Sequence, residues 1–286
     1  MGKIEEIAFD NFESLINELE KLGNKYFFRG MASDQWKLKT SIDRFLEEIK
    51  KNNDNILLEI QTQNVFAEFR FLSEFIEKCK IDINKILGNN ENFSLELSND
   101  NFLKLVVILQ HYGLPTRVLD WTTNWEKALY FCLEDENQKE NCCIWAVQKS
   151  NISDVEKKII YSKRLKSDNK MKNFFGDLNP GVYLINEDNY IFERIKSQNG
   201  IALVCGLGNN MNFEDHLLSI GDAKIKKIKI DKMLRPEIGR FLIENNINKK
   251  TLYPDDLQEN FINETSINNV KQATVDFIQE LYPNDE

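Results

Sequence analysis

Excess basic charge, paired cysteines, long apolar runs and phosphate-loop motifs are all missing from this chain, and each absence removes a class of function. The 37 Lys+Arg are outnumbered by 46 Asp+Glu, for a formal net charge of −9. That balance argues against a protein that coats nucleic acid nonspecifically. Five cysteines, at positions 79, 132, 142, 143 and 205, are odd in number, lie among apolar residues and form no CxxC pair. Buried thiols in a reducing cytoplasm fit them better than a disulfide framework or a zinc site, and no metal is implied. There is no GxxxxGK[ST], HExxH, GxSxG or DxD, which removes the ordinary P-loop, zincin and nucleophile-elbow chemistries. Gly206-Leu207-Gly208 lacks the third glycine and the following helix of a dinucleotide fingerprint. No apolar run approaches the roughly 18 residues that cross a bilayer. The start, MGKIEEIAFDNF, lacks the basic and apolar regions of a signal peptide. A soluble, cytoplasmic protein with no membrane partner is the expectation.

With 286 residues, 42% of them hydrophobic and 29% charged, the chain is long and apolar enough to bury a core. Phe12, Leu15, Ile16 and Leu19 fall at helical spacing, with Gly23 as a stop. Tyr26 to Phe28 reads as a short buried strand that delivers Arg29 and Gly30 at its end. A long amphipathic helix is predicted over about Ile56 to Lys78, a polar loop from Ile81 to Asp100, and a buried helix from Leu103 to Gln110 that Pro115 cannot continue. Thr116 to Trp121 reads as strand-like, and Thr123-Asn124-Trp125-Glu126 as a capping box opening a short helix. Cys142–Val147, Val182–Ile185, Ile201–Cys205 and Lys224–Ile230 read as strands, Tyr190–Ser197 as a helix, and Arg235-Pro236 as a helix start. These elements follow no regular βαβ alternation. The class is therefore α+β, with a mixed sheet flanked by helices and long helices inserted after the first strand. An N-terminal helix over 1–24, one domain over 25–258, and a C-terminal helix over 259–286 packing on that domain describe the organisation.

Two segments concentrate chemistry. The first is Tyr26-Phe27-Phe28-Arg29-Gly30, and the second runs HYGLPTRVLDWTTNWEKALYFC from His111 to Cys132. Arg29 offers five fixed donors suited to phosphate or carboxylate, and Gly30 permits a close approach by a backbone or a ligand. Equally, Arg29 could pair with a buried carboxylate, Asp120 being the obvious partner. His111 sits where a helix ends, which favours its cation. With Arg117 and Asp120 across a Gly-Leu-Pro turn, it is also a candidate general acid or base. Trp121, Trp125 and Tyr130 have the spacing of core residues. Thr122 and Thr123 serve a helix start, and Gln198-Asn199-Gly200 reads as a turn. His216 reads as structural. Two basic clusters, Lys157–Lys172 and Lys224–Lys232, read as solvated faces or, more sharply, as phosphate-attracting rims.

The same segments carry a resemblance. Phe28-Arg29-Gly30, Gln110 to Arg117, Leu119 to Thr122 and Ala128 to Phe131 resemble the FRG domain family, named for its Phe/Tyr-Arg-Gly motif. Arg194-Ile195 with Gln198 and Gly200, and Leu252-Tyr253-Pro254-Asp255-Asp256-Leu257, are similar to its later elements, so the resemblance runs from about Tyr26 to Leu257. The family has no settled activity. A second resemblance, to ADP-ribosyltransferases, rests on the order of an Arg-Gly strand, a Thr-rich strand end before an Ala-x-x-Phe helix, and an Arg-Ile…Gln element. It implies a split β core and NAD as candidate substrate or ligand, with Arg29 as anchor and Thr122/Thr123 lining the nicotinamide. Gln198-Asn199-Gly200-Ile201 contains no Glu where that superfamily places its catalytic one, which leaves transfer to an acceptor in question.

Taken together, the resemblances imply a bacterial effector of phage-defence or toxin type that binds NAD or another phosphorylated nucleotide. His111, Asp120 and Arg29 are the candidate catalytic residues. Gly30, Thr116, Arg117, Trp121, Thr122, Thr123 and Gln198 are the candidate ligand contacts. Two alternatives stand beside this reading. One is a non-catalytic protein-interaction module whose motif is a buried polar network. The other is a nucleic-acid-acting enzyme using Lys157–Lys172 and His111, which the acidic balance disfavours.

Overall fold

The computed structural model describes residues 2–52, 74, 106–107, 110, 113–135, 137, 139–154, 181–185, 193–206, 211–254, 268–273 and 275–276. One eight-stranded sheet organises them. Its strands are β1 (Lys3–Phe9), β2 (Tyr26–Met31), β3 (Val118–Thr122), β4 (Cys142–Gln148), β5 (Ser153–Asp154), β6 (Val182–Ile185), β7 (Gly200–Cys205) and β8 (Lys224–Ile230). Their spatial order is β1-β8-β4-β2-β3-β7-β6-β5. The β1–β8 and β5–β6 pairs at the two ends are parallel, and the others are antiparallel. The helices are α1 (Phe12–Leu22), α2 (Ser41–Asn52), α3 (Trp125–Leu133), α4 (Glu193–Ser197), α5 (Phe213–Leu218), α6 (Arg235–Glu244) and α7 (Lys249–Leu252). The class is α+β.

Strand alternation sorts the core into two layers. Tyr26 and Phe28 of β2 join Cys142, Ile144 and Ala146 of β4 and Ile228 and Ile230 of β8 on one face, where Leu15 and Leu19 of α1, Ala128 and Leu129 of α3 and Ile238 of α6 cover them. Phe27, Met31, Leu119, Trp121, Trp145 and Leu203 face the other way, against Leu38 and against Phe213 and Leu217 of α5. Helix ends follow local chemistry. Asn11 Oδ1 accepts from Ser14 N at 2.9 Å, and Gly23, at φ 42°, ends α1. At the start of α2, Thr40 Oγ1 accepts from Asp43 N while an Asp43 carboxylate oxygen accepts from Thr40 N, a reciprocal cap.

Several sequence expectations shift. Within 1–24 the helix is preceded by a strand, since Lys3–Phe9 pairs with β8 along its whole length. β2 continues to Met31, so Arg29 and Gly30 lie inside it. The cap of α3 is Asn124, whose Oδ1 accepts from Lys127 N at 2.9 Å, rather than Thr123. Thr123 N instead donates to the Asn199 carbonyl at 3.0 Å, just beyond the end of β3. The Lys224–Lys232 cluster is met by acids. Lys226 pairs with Glu5 at 3.3 Å and Glu18 at 2.9 Å, Lys229 with Glu6 at 2.5 Å, and Lys232 with Glu140 at 3.4 Å. Cys132, Cys142, Cys143 and Cys205 are buried free thiols, as expected; burial pushes the Cys143 thiol up to about 12. Val106, Val107 and Gln110 are helical, and Val270 is buried in a helical stretch. The 56–78 helix, the 81–100 loop, Cys79, His111, the Lys157–Lys172 cluster and most of 259–286 lie outside the described residues.

The sheet is parted in the middle. β2 pairs with β4 from Tyr26↔Gln148 to Met31↔Cys143, and β3 pairs with β7 along all of its residues. Between β2 and β3, Phe28↔Thr122 is the single register pair. Two four-stranded halves therefore meet at one point and diverge from it. Gly30 lies beside that point, and a Cβ built there would stand 1.9 Å from the Ala128 carbonyl oxygen and 3.0 Å from Cys132 N. The close approach is to the backbone of α3. Gly30→Ala is expected to cost about 3 kcal/mol, because main chain rather than a flexible side chain must move. A urea midpoint equal to wild type would show that α3 can yield.

Candidate functional site

A cleft of about 1310 Å³ opens where the two half-sheets diverge. Arg29 stands at its floor. The register with β4 pairs Arg29 with Trp145, and Arg29 stands one residue beyond the Phe28↔Thr122 pair. Arg29 Nη1 donates to the Asp120 carbonyl at 2.5 Å. A side chain thus bridges β2 and β3 just beyond their last shared pair. Arg29 Nε is buried without an acceptor, and so is Trp121 Nε1. Burial pulls the Arg29 pKa below its ordinary value, opposed by the Asp120 carboxylate and reinforced by the like charge of Arg44; a guanidinium nevertheless stays protonated at neutral pH.

The Asp120 carboxylate is exposed and turned elsewhere, accepting from Gln110 Nε2 at 2.5 Å. Gln110 Oε1 accepts from Thr116 Oγ1 at 2.5 Å, and Thr116 N donates to Ser41 Oγ at 2.9 Å. Ile42 N also donates to the Thr116 carbonyl at 3.1 Å. This chain of bonds fastens α2 to the start of β3. The alternative in which Arg29 meets Asp120 is therefore realised through the main chain rather than the carboxylate.

Across the cleft, Arg194 stacks on the Tyr253 ring at 4.4 Å, and Tyr253 OH donates to Glu134. Burial and the bond to that carboxylate raise the Tyr253 pKa above the usual phenol value. Thr122 Oγ1 donates to the Gln198 carbonyl at 2.8 Å and accepts from Asn124 N at 3.0 Å, while Gln198 Nε2 donates to the Leu252 carbonyl at 3.2 Å.

Of the residues singled out from the sequence, Arg29, Gly30, Asp120, Trp121, Thr122 and Gln198 line this cleft. Thr116, Arg117 and Thr123 do not. Thr116 is fully buried in the Ser41–Gln110 network. Arg117 is 2% exposed, with Nη1 donating to the Cys205 carbonyl at 3.3 Å. The cleft adds Trp36, Lys39, Arg44, Gln110, Glu134, Arg194 and Tyr253. Arg194, Gln110 and Tyr253 belong to motifs already quoted, and Glu134 stands three residues beyond the Ala128–Phe131 element. Trp36, Lys39 and Arg44 carried no signal in the sequence.

Arg117 explains His216. The imidazole is buried, its Nδ1 accepts from Gly181 N at 3.2 Å, and burial with the Arg117 charge nearby lowers its pKa from 6.5 to about 4, against a smaller opposing pull from Asp215. A folded pKa below the unfolded one means that the unfolded chain binds the proton first. Stability is then complete above pH 6.5 and falls as pH drops towards 4, by roughly 3 kcal/mol in all. His216→Gln is expected to flatten the dependence of urea stability on pH in that window, and an unchanged slope would assign it to other groups.

The Arg29 bridge generates a second expectation. Arg29→Ala removes it, and water entering the cleft replaces part of what is lost, so about 1–2 kcal/mol should go. Asp120→Asn keeps an acceptor for Gln110 and should stay within about 0.5 kcal/mol of wild type. Denaturant midpoints in the reverse order would overturn the bridge as the dominant contact.

Residues 24–141 match the family model of the FRG domain. That span holds Arg29 and the whole His111–Cys132 segment, and it ends short of Arg194, Gln198 and Tyr253, to which the sequence resemblance extends. Neither a curated protein nor a solved structure matches the chain. On the match over its two densest motifs, this chain carries an FRG domain.

Proposed function

We propose that the cleft between β2 and β3 binds NAD or another phosphorylated nucleotide, and that the protein acts through that ligand as a bacterial effector of phage-defence or toxin type. The observation that carries the reading is convergence. Arg29, Asp120-Trp121-Thr122, Arg194, Gln198 and Tyr253 are far apart in sequence, yet they line one cleft. Arg29 Nε, Trp121 Nε1 and Trp145 Nε1 are buried donors without an acceptor, the first two on residues that line the cleft, and a buried donor without a partner is a standing demand for an acceptor atom. Phosphate or carboxylate oxygens meet that demand best beside a guanidinium. The effector role rests on the FRG resemblance. The ADP-ribosyltransferase resemblance makes NAD the first ligand to try. His111, outside the described residues, stays a candidate acid or base on its sequence position alone. Glu134 supplies a carboxylate within the cleft, although not at the position that resemblance calls for.

A second reading, the non-catalytic interaction module, draws on a different observation. Thr122, Gln198, Thr116 and the Asp120 carboxylate all spend hydrogen bonds on the protein itself, as a structural network does. Thermal unfolding separates the two. A ligand that binds only the native state stabilises by about 2.7 kcal/mol at one hundred times its Kd, so NAD, ADP-ribose or ATP is expected to raise Tm at millimolar concentration. Flat melting curves with all three would favour the interaction module.

A further inference from the structure

One side chain of the cleft is held where a folded protein gains nothing from it. Trp121 and Trp145 are buried, and Trp125 stacks on Phe241 at 5.8 Å. Trp36, also a cleft residue, is 44% exposed. Its exposure does not come from a loose loop. Asp34 N donates to the Asn141 carbonyl at 3.0 Å, Gln35 N to Ser33 Oγ at 3.2 Å, and Leu38 N to Glu214 Oε1 at 2.7 Å, while Leu38 itself is 1% exposed in the core. The backbone on both sides of Trp36 is therefore pinned, and the indole is presented by a fixed frame. Leaving so much apolar ring in water forgoes burial that a core position would provide.

The surroundings narrow the use of that ring. Lys37, Lys39 and Arg44 line the same cleft, with Glu47 and Glu48. Lys39 is matched by Glu47 at 2.7 Å, but the Arg44 guanidinium donates to the neutral Lys39 carbonyl at 2.7 Å and keeps its charge. A rigid aromatic face beside cations is the combination that stacks a base and draws its phosphates. The cleft volume of about 1310 Å³ also exceeds the roughly 300–1,000 Å³ of ordinary small-ligand pockets, leaving length for a ligand that reaches from Trp36 to Arg29.

We propose that Trp36 is the base-stacking subsite of the cleft, so that the ligand is an aromatic nucleotide whose heterocycle lies on Trp36 and whose phosphates run past Arg44 towards Arg29. This rests on the nucleotide reading and adds to it the end of the ligand that the Arg29 motifs leave unspecified.

The test compares probes with and without a base: NAD and ADP-ribose against ribose 5-phosphate and inorganic pyrophosphate, titrated into wild type, Trp36→Phe and Trp36→Leu by calorimetry and indole fluorescence. NAD and ADP-ribose are expected to quench emission from wild type. Trp36→Leu should weaken both by about 5- to 150-fold, the range set by one base–aromatic stack, and Trp36→Phe should retain most of the affinity. Ribose 5-phosphate and pyrophosphate should bind wild type and Trp36→Leu alike. Equal affinity of wild type and Trp36→Leu for NAD overturns the subsite while leaving nucleotide binding intact. Weakening of all four probes to the same degree in Trp36→Leu also overturns it, since the lost contact would not be to the base. Failure of every probe with wild type removes the nucleotide reading and the subsite together. A single-stranded oligonucleotide that displaces NAD, with affinity falling steeply in salt, would assign the ring to nucleic acid instead. Urea midpoints of both variants, expected to match wild type for a side chain this exposed, exclude unfolding as the cause of any loss.

Discussion

The junction of β2 and β3 is the constraint from which the rest of the architecture follows. Two half-sheets touch at Phe28↔Thr122 and separate beyond it, so the sheet interior, ordinarily a sealed layer, is open along one line. An opening of that kind exposes strand edges, which proteins manage by covering or pinning them. Here one side is covered by α3, seated so closely on Gly30 that no Cβ fits. The gap is spanned by the Arg29 guanidinium on the Asp120 carbonyl. The Phe-Arg-Gly run thus supplies three different services in consecutive residues: a buried anchor, a bridge and a seat for a helix.

Charge is distributed around this opening with a clear division. At the β1 edge, acidic Glu5 and Glu6 meet the lysines of β8 in ion pairs, which settles the parallel register and neutralises the densest described basic strand. Exposed pairs of this sort add little stability individually. Their effect here is to match Lys226 and Lys229 of the basic strand with acids, while Lys227 lies over the Trp145 ring. In the cleft the opposite holds, because Arg29 and Arg44 contact main-chain carbonyls rather than carboxylates. Among the described residues, these two guanidiniums keep an unpaired positive charge in a cleft whose lining otherwise mixes acids and bases.

What the sequence discloses and what it conceals divide along physical lines. Helix α1 and strands β4, β6, β7 and β8 are legible because burial imposes a period on them that survives without tertiary information. β1 is not, since KIEEIAF has no clear apolar alternation and is ordered by pairing along its whole length with a strand over two hundred residues away. The cap of α3 is misplaced by one residue because Thr123 and Asn124 are both competent caps, and the choice is made by Asn199, which takes the Thr123 amide. Within the site, Arg29, Asp120 and Gln198 are legible from their motifs. Arg117 reads the same way in sequence, but its guanidinium is buried near His216 and does not line the cleft. A motif states that residues act together; it does not state which of them reach the cleft and which are sealed into the core.

That last distinction bears on how the cleft can work. Most of its polar atoms already satisfy one another, which makes the frame rigid, and a rigid frame sacrifices little entropy when a ligand enters. Among the described residues, the buried side-chain donors without partners are Arg29 Nε and Trp121 Nε1 of the cleft and Trp145 Nε1 outside it, and the face of Trp36 is exposed. Each is a feature that stability alone would eliminate, since it forgoes a hydrogen bond or apolar burial. Filling those of the cleft would require an acceptor at one end or a flat apolar surface at the other. A nucleotide carries both on a single molecule.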